Sequence, residues 1–221
     1  MKYLFLDFGN VLCYPITGEW FITPYLNFYL NERNIDRNEL LKNVRYYSEL
    51  LDMKLQTLEE EKAMFYDFYK GLFNMAEISV PNFELDRISS DFTYSTTKYQ
   101  LFKDVREELL KLKEYYNLIL LTDNWPCGEY LMHKWELADY FEEMYISSYY
   151  GIKKDNQEFF RIPMNEYNVD SSNIVFVDDS NTPLDTAISL GIESYKMDRY
   201  NNISSDEYNV IHDLKCLCKN I

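Results

Sequence analysis

Hydrophobic and polar positions along the chain fall into two rhythms. Unbroken apolar or β-prone runs occupy residues 3–6, 118–121, 144–147 and 174–177. Strands of a parallel sheet are covered on both faces, so they read as continuous hydrophobic runs. Near the later runs the period becomes helical. Leu101, Val105, Leu109 and Leu112 share one face, and Leu184, Ala187 and Ile188 another, with Pro183 near a helix start and Gly191 at its stop. This βαβ alternation predicts an α/β fold built on a doubly wound parallel sheet.

One stretch departs from it, from about residue 19 to about residue 93. Leu40, Leu41, Val44, Tyr47 and Leu51 mark one helical face there, and Met64, Phe65, Phe68, Tyr69, Leu72 and Phe73 a second. Thr57-Leu58-Glu59-Glu60 offers a capping box at the start of the latter. The expected organisation is a sheet core from residues 1–14 and 95–221, interrupted after its first strand by a helical unit over residues 15–94. Many of the three Trp, 21 Tyr and 14 Phe fall in that unit and read as interhelical packing.

Composition narrows the partners. With 47% hydrophobic and 27% charged residues, the 221-residue chain is an ordinary globular one. Its 22 Lys+Arg against 37 Asp+Glu give a net charge of −15, which repels nucleic acid and anionic membrane surfaces while leaving room for small anions at local positive charge. The apolar run before Asp7 is too short for a signal peptide, and no window approaches the roughly 20 apolar residues of a membrane span. A soluble, cytoplasmic protein is expected. Cys13, Cys127, Cys216 and Cys218 form no CxxC pair and read as reduced thiols.

Chemistry in an open parallel sheet gathers at the carboxyl ends of its strands. The first run ends in Asp7-Phe8-Gly9-Asn10-Val11, the second in Thr122-Asp123-Asn124, and the fourth in Asp178-Asp179-Ser180-Asn181, while Lys154 follows the third. Acids converging on one rim repel each other, and a hard divalent cation such as Mg2+ keeps them ionised together. The Thr122 hydroxyl, the Lys154 charge and backbone N–H groups of the turn after Asp7 suit the oxygens of a phosphoryl group.

At these residues the sequence resembles the haloacid dehalogenase (HAD) superfamily of phosphatases, whose four motifs occur in order as Asp7-x-Gly9-Asn10-Val11, Thr122, Lys154 and Asp178-Asp179. The resemblance implies a Rossmann-like core with a helical C1 cap, and an aspartyl-phosphate formed on Asp7. It further implies catalytic roles for Asp7, Thr122 and Lys154, and Mg2+ held by Asp7, the Gly9 carbonyl, Asp178 and Asp179, the last directly or through water. Phe8, Gly9, Thr122, Asp123, Asn124 and Lys154 would contact the substrate, a small phosphorylated metabolite. The D-x-G-N-V loop is similar to that of sugar-phosphate phosphatases, including ones acting on glucose 1-phosphate.

Three positions depart from the family pattern. Gly9 stands where most members carry an acid–base aspartate, Asp155 where relatives usually have proline, and Pro183 where many have asparagine or aspartate. Proton transfer by a placed side chain is typically worth about 10²–10⁴-fold, so its loss predicts preference for leaving groups that need little protonation, such as anomeric sugar phosphates or aryl phosphates. Alternatives are a weakly catalytic regulatory protein that binds a phosphorylated metabolite, and a metal-independent dehalogenase. A phosphate-accepting receiver domain orders its acids differently. His133 and His212 read as surface or packing residues, and Trp20, Phe21, Tyr25 and Trp125 as packing or as lining of a substrate entrance. Sequence leaves the oligomeric state open.

Overall fold

Alternate residues of the central strands bury into opposite layers. Leu4, Leu6, Leu118, Leu120, Val175 and Val177 join one apolar cluster, while Phe5, Ile119, Leu121, Ile174 and Phe176 join another. The computed structural model describes residues 1–202 and 207–218. In chain order its elements are β1 (Lys2–Leu6), β2 (Cys13–Pro15), α1 (Pro24–Glu32), α2 (Arg37–Leu41), α3 (Ser48–Leu51), α4 (Leu58–Met75) and α5 (Asn82–Tyr94). There follow β3 (Tyr99–Leu101), α6 (Val105–Leu112), β4 (Tyr116–Thr122), α7 (Pro126–Lys134), β5 (Glu143–Ile146), α8 (Ser147–Tyr150) and α9 (Gln157–Glu166). Last come β6 (Ile174–Asp178), α10 (Asn181–Ser189), β7 (Glu193–Met197), β8 (Asn209–Ile211) and α11 (Lys215–Cys218).

Six parallel strands form one sheet in the order β5-β4-β1-β6-β7-β8. Residues of α6, α7 and α11 complete the first cluster, and residues of α9 and α10 the second, so the sheet is covered on both sides as the continuous runs require. Each of the four runs read from the sequence is a strand, although Ser147 belongs to α8. β7 and β8 have no such run. Ser194 and Lys196 of β7 face inward, where the Ser194 hydroxyl donates to the Ile192 carbonyl and Lys196 reaches the side-chain carbonyl of Asn181.

Helices α1 to α5 lie between β2 and β3, which pair antiparallel where the chain leaves and re-enters the sheet layer. They enclose a cluster of their own around Phe65, Phe68, Tyr69, Phe73 and Phe92. The capping box at α4 is present: Thr57 Oγ1 accepts the Glu60 N–H, and Glu60 accepts the Thr57 N–H, each at 3.2 Å. The face expected from Leu40 to Leu51 is not one helix but α2, a 3₁₀ turn and α3. At that break the Asn43 amide donates to the Glu39 carbonyl, a local bond of the kind that competes with helix propagation. Leu101 likewise lies in β3 and not on the face of α6. Among the described residues, no helix is long and apolar enough to cross a membrane.

Candidate active site

Three strand ends and one loop place the polar groups. Asp7 follows β1 and is held in line with the neighbouring strand by its N–H, which donates to the Val177 carbonyl at 3.1 Å. Thr122 closes β4, Asp178 closes β6 and Lys154 lies in the loop before α9. All four are buried, with exposures of 7%, 1%, 1% and 3% in that order. The Lys154 ammonium donates to Asp7 Oδ1 and Asp178 Oδ2, both at 2.5 Å, while its backbone N–H donates to Asp123 Oδ1 at 3.0 Å. Asp7, Asp178 and Asp179 each offer a carboxylate oxygen, and the three lie within 4.8 Å of one another.

Fixed dipoles hold the two acids after β6. The Ser180 N–H donates to Asp178 Oδ1 at 2.8 Å, and Asn10 Nδ2 donates to Asp179 Oδ2 at 2.8 Å. Asn10 takes a left-handed φ of 52°, which asparagine tolerates better than most residues. Burial pushes the Asp178 carboxyl up to about 7, with Lys154 opposing and Asp7 adding to the rise. Asp179 is raised by burial and then by Asp7. For Lys154, burial disfavours the charged form, but Asp178 and Asp7 outweigh it and keep the ammonium protonated far above neutrality.

A cavity of about 320 Å³ opens over these groups. Of the residues singled out at the strand ends, Asp7, Phe8, Gly9, Asn10, Thr122, Asp123, Asn124, Lys154, Asp178, Asp179 and Ser180 border it, while Val11 and Asn181 do not. The Phe8 ring itself stacks on Trp135 at 5.7 Å and 7°, and is 1% exposed, so Phe8 can face the cavity with little beyond its backbone. Asn124 accepts the Trp125 N–H at 2.8 Å, and its amide packs so close to Gly128 that a Cβ there would sit 2.8 Å from Nδ2. Trp20, Phe21 and Trp125 also line the cavity, whereas Tyr25 is directed elsewhere, toward Glu84 and Arg87.

The family departures have local explanations. A Cβ on Gly9 would meet the Trp20 indole at 3.1 and 3.3 Å, so that ring occupies the space a side chain would need. Asp155 is exposed, and the bonds found for it run from its carbonyl, which accepts the Thr186 hydroxyl at 3.4 Å. Pro183 borders the cavity in the first turn of α10, where its missing N–H needs no partner. Lys153 pairs with Asp52 across the surface. His133 is exposed beside Glu129, and His212, also exposed, bonds the Asp198 carbonyl through Nδ1 at 2.8 Å, so His212 is not a packing residue.

Sequence reasoning missed two supports. Arg199 chelates Asp104 at 2.8 and 2.9 Å, and its Nε donates to the Val11 carbonyl at 3.2 Å, steadying the loop after Asp7. Glu61 of α4 accepts the Cys127 N–H at the start of α7, beside the buried Lys98 ammonium, which lies 3.2 Å from Cys127 Sγ. Neither carries a short-range signal, since each partner is distant in sequence.

A family model described as haloacid dehalogenase-like hydrolase matches residues 35–197, well over half of the chain. A glyceraldehyde 3-phosphate phosphatase of Pyrococcus abyssi is 31% identical over 91 residues, 39% of this chain. That alignment spans 38% of the relative's length. An HAD phosphatase from Thermococcus onnurineus superposes over 100% of this chain and 97% of its own, with a TM-score of 0.66 and 19% identity. For a 2-haloacid dehalogenase from Pseudomonas syringae the figures are 99%, 97%, 0.68 and 18%. At such identities the likeness concerns the fold, a Rossmann-like α/β sheet that phosphatases and dehalogenases share.

Proposed function

Because the chain belongs to the haloacid dehalogenase-like hydrolase family, we propose that it is a Mg2+-dependent phosphatase that cleaves a small phosphate monoester through a phosphoaspartate on Asp7. The observation that carries this reading is the meeting of three carboxylates within 4.8 Å, with the Lys154 ammonium against two of them. A dehalogenase working on carbon without metal has no use for Asp178 and Asp179. Residues 15–94 serve in this reading as the cap, and residues 1–14 with 95–221 as the catalytic core.

The donor set fits Mg2+. Opposite oxygens on such an ion stand about 4 Å apart, so small adjustments bring the three acids onto one centre. Asp7, Asp178 and Asp179 would hold it together with the Gly9 carbonyl. Bound there, the ion offsets repulsion between the Asp7 carboxylate and the phosphate dianion.

Asp7 attacks phosphorus in line as the bond to the ester oxygen breaks, and the electron pair departs on that oxygen. Thr122 Oγ1 and the Asp123 N–H hold the phosphoryl oxygens, with Asn124 and the backbone of Phe8 and Gly9 at the border. Lys154 balances their charge and keeps Asp7 in line. Gly9 has no proton to give, so the departing oxygen takes one from water. A second water attacks the phosphoaspartate phosphorus and loses its proton to solvent, releasing inorganic phosphate and the Asp7 carboxylate.

A panel of phosphate esters at neutral pH, with and without Mg2+, tests this. Hydrolysis is expected only with the ion and only with Asp7 intact. Undiminished turnover in Asp7→Asn, or halide release from a 2-haloacid without metal, overturns it. Binding of phosphate esters without turnover by the intact protein favours the regulatory alternative that Gly9 keeps open.

A further inference from the structure

Rings make up much of the cavity's remaining lining. Trp20 and Phe21 at the entry to the helical segment, Phe92 of α5, Tyr99 of β3 and Trp125 after β4 all border the cavity. They touch in two groups, Trp20 with Tyr99 and Phe21 with Phe92 and Trp125. Trp20 meets Tyr99 edge-on at 5.1 Å between centroids, Phe21 stacks on Phe92 at 6.4 Å and 15°, and Phe92 meets Trp125 edge-on at 6.1 Å. The Trp125 indole N–H is already given to the Leu51 carbonyl at 3.1 Å. Trp20 lies against Gly9, two residues from the reacting carboxylate.

Over the ring faces of Trp20, Phe21 and Trp125 a sugar hydroxyl presses on carbon, which is unfavourable wherever it does not turn to one of the polar groups that also border the cavity, Asn10, Asn124, Ser180 and the Tyr99 hydroxyl among them. A second phosphate or a carboxylate fares worse. Among the described residues lining the cavity, Lys154 is the one side-chain cation, and it is engaged by Asp7 and Asp178. A flat uncharged ring, by contrast, gains edge and face contacts with Trp20, Phe21 and Trp125.

Gly9 points the same way. With no side chain to protonate the departing oxygen, a phenolate is the easier leaving group, because a phenol such as tyrosine ionises near pH 10, roughly five or six orders of magnitude more readily than water or an aliphatic alcohol. Resting on the phosphatase reading above, we infer that the substrate is a small aryl phosphate, a monoester whose leaving group is one aromatic ring without a second anionic group. The ring stacks on the Trp20–Phe21–Trp125 wall while its phosphate meets Thr122 and Lys154.

Two measurements separate ring recognition from turnover. Calorimetry with Mg2+ present compares phenylphosphonate, which has no ester bond to cleave, with methylphosphonate, and the phenyl compound is expected to bind at least about tenfold tighter. Steady-state kinetics compare benzyl with cyclohexylmethyl phosphate, which share an alkyl leaving oxygen, and phenyl phosphate with glucose 1-phosphate. The aromatic member of each pair should have the higher kcat/KM, the first chiefly through KM. Trp20→Leu, or Phe21→Leu if the first variant does not fold, should bring the two phosphonates to within about threefold. Tight phenylphosphonate binding without hydrolysis of any ester would sink the phosphatase reading and keep the ring subsite. Hydrolysis that favours glucose 1-phosphate, or a phenyl advantage unaltered in both variants, overturns the inference.

Discussion

Glu61 Oε2 accepts the backbone N–H of Cys127 at 2.7 Å, which ties the helical segment to the first turn of α7 directly behind the Thr122 loop. Its other oxygen, Oε1, has no hydrogen-bond partner among the described residues. Burial pushes this carboxyl from 4.5 up to about 7, against opposing pulls from Lys98 and the Cys127 N–H. Between those values the folded protein keeps a proton that the unfolded chain has released. Stability therefore falls as pH climbs through that window and levels off above it, by on the order of 3 kcal/mol. Glu61→Gln keeps the acceptor but cannot ionise. Urea unfolding at about pH 5 and about pH 8 should show that this share of the pH dependence is gone in the variant. Asp178 contributes its own slope to both proteins and cancels in the comparison. Equal pH dependence in the two would refute the role assigned to Glu61.

Lys154 stands between two buried acids, so its removal is expected to harm the metal-free protein first. Lys154→Met should lower stability by about 3–5 kcal/mol, as loss of one partner from a buried pair does. Saturating Mg2+ should restore part of it, while turnover stays at least about 10²-fold down. Thermal melts with EDTA and with Mg2+ measure the first, and initial rates the second. A variant as stable as the parent in EDTA would show that the two 2.5 Å contacts carry no weight.

Cation binding is expected to be visible as stabilisation. A ligand at about 100 times its Kd adds roughly 2.7 kcal/mol to a folded state that alone binds it. The parent melting temperature should rise accordingly with Mg2+, and Asp178→Asn should lose that rise. A similar upward shift in the variant would place the ion elsewhere.

Restoring an aspartate at position 9 is expected to fail alone and to succeed in company. The Trp20 ring sits 3.1 Å from where the new Cβ must go. Gly9→Asp should therefore disturb the wall and lower activity. Gly9→Asp combined with Trp20→Ala provides the room, and alkyl phosphate turnover should exceed that of Trp20→Ala by about tenfold or more. Identical rates for the double variant and Trp20→Ala would show that no proton donor is missing.

Some of this was legible in the chain and some was not, for physical reasons. β1, β4 and β6 announce themselves because both faces are buried, and the acids Asp7 and Asp178 announce the site because they stand where those runs stop. β7 does not, since its inward Ser194 and Lys196 look like solvent-facing residues until Ile192 and Asn181 are seen to receive them. The face from Leu40 to Leu51 has helical spacing, yet Asn43 bonds its own turn and breaks it. Trp20 over Gly9 depends on how the loop after β2 folds back, and no periodicity records that.

Arg199 grips the Val11 carbonyl from 188 positions further along the chain. During synthesis, the segment bearing Asp7 thus emerges long before the residue that braces it. The loop after Asp7 gains this brace only once Arg199, two residues past β7, has been made.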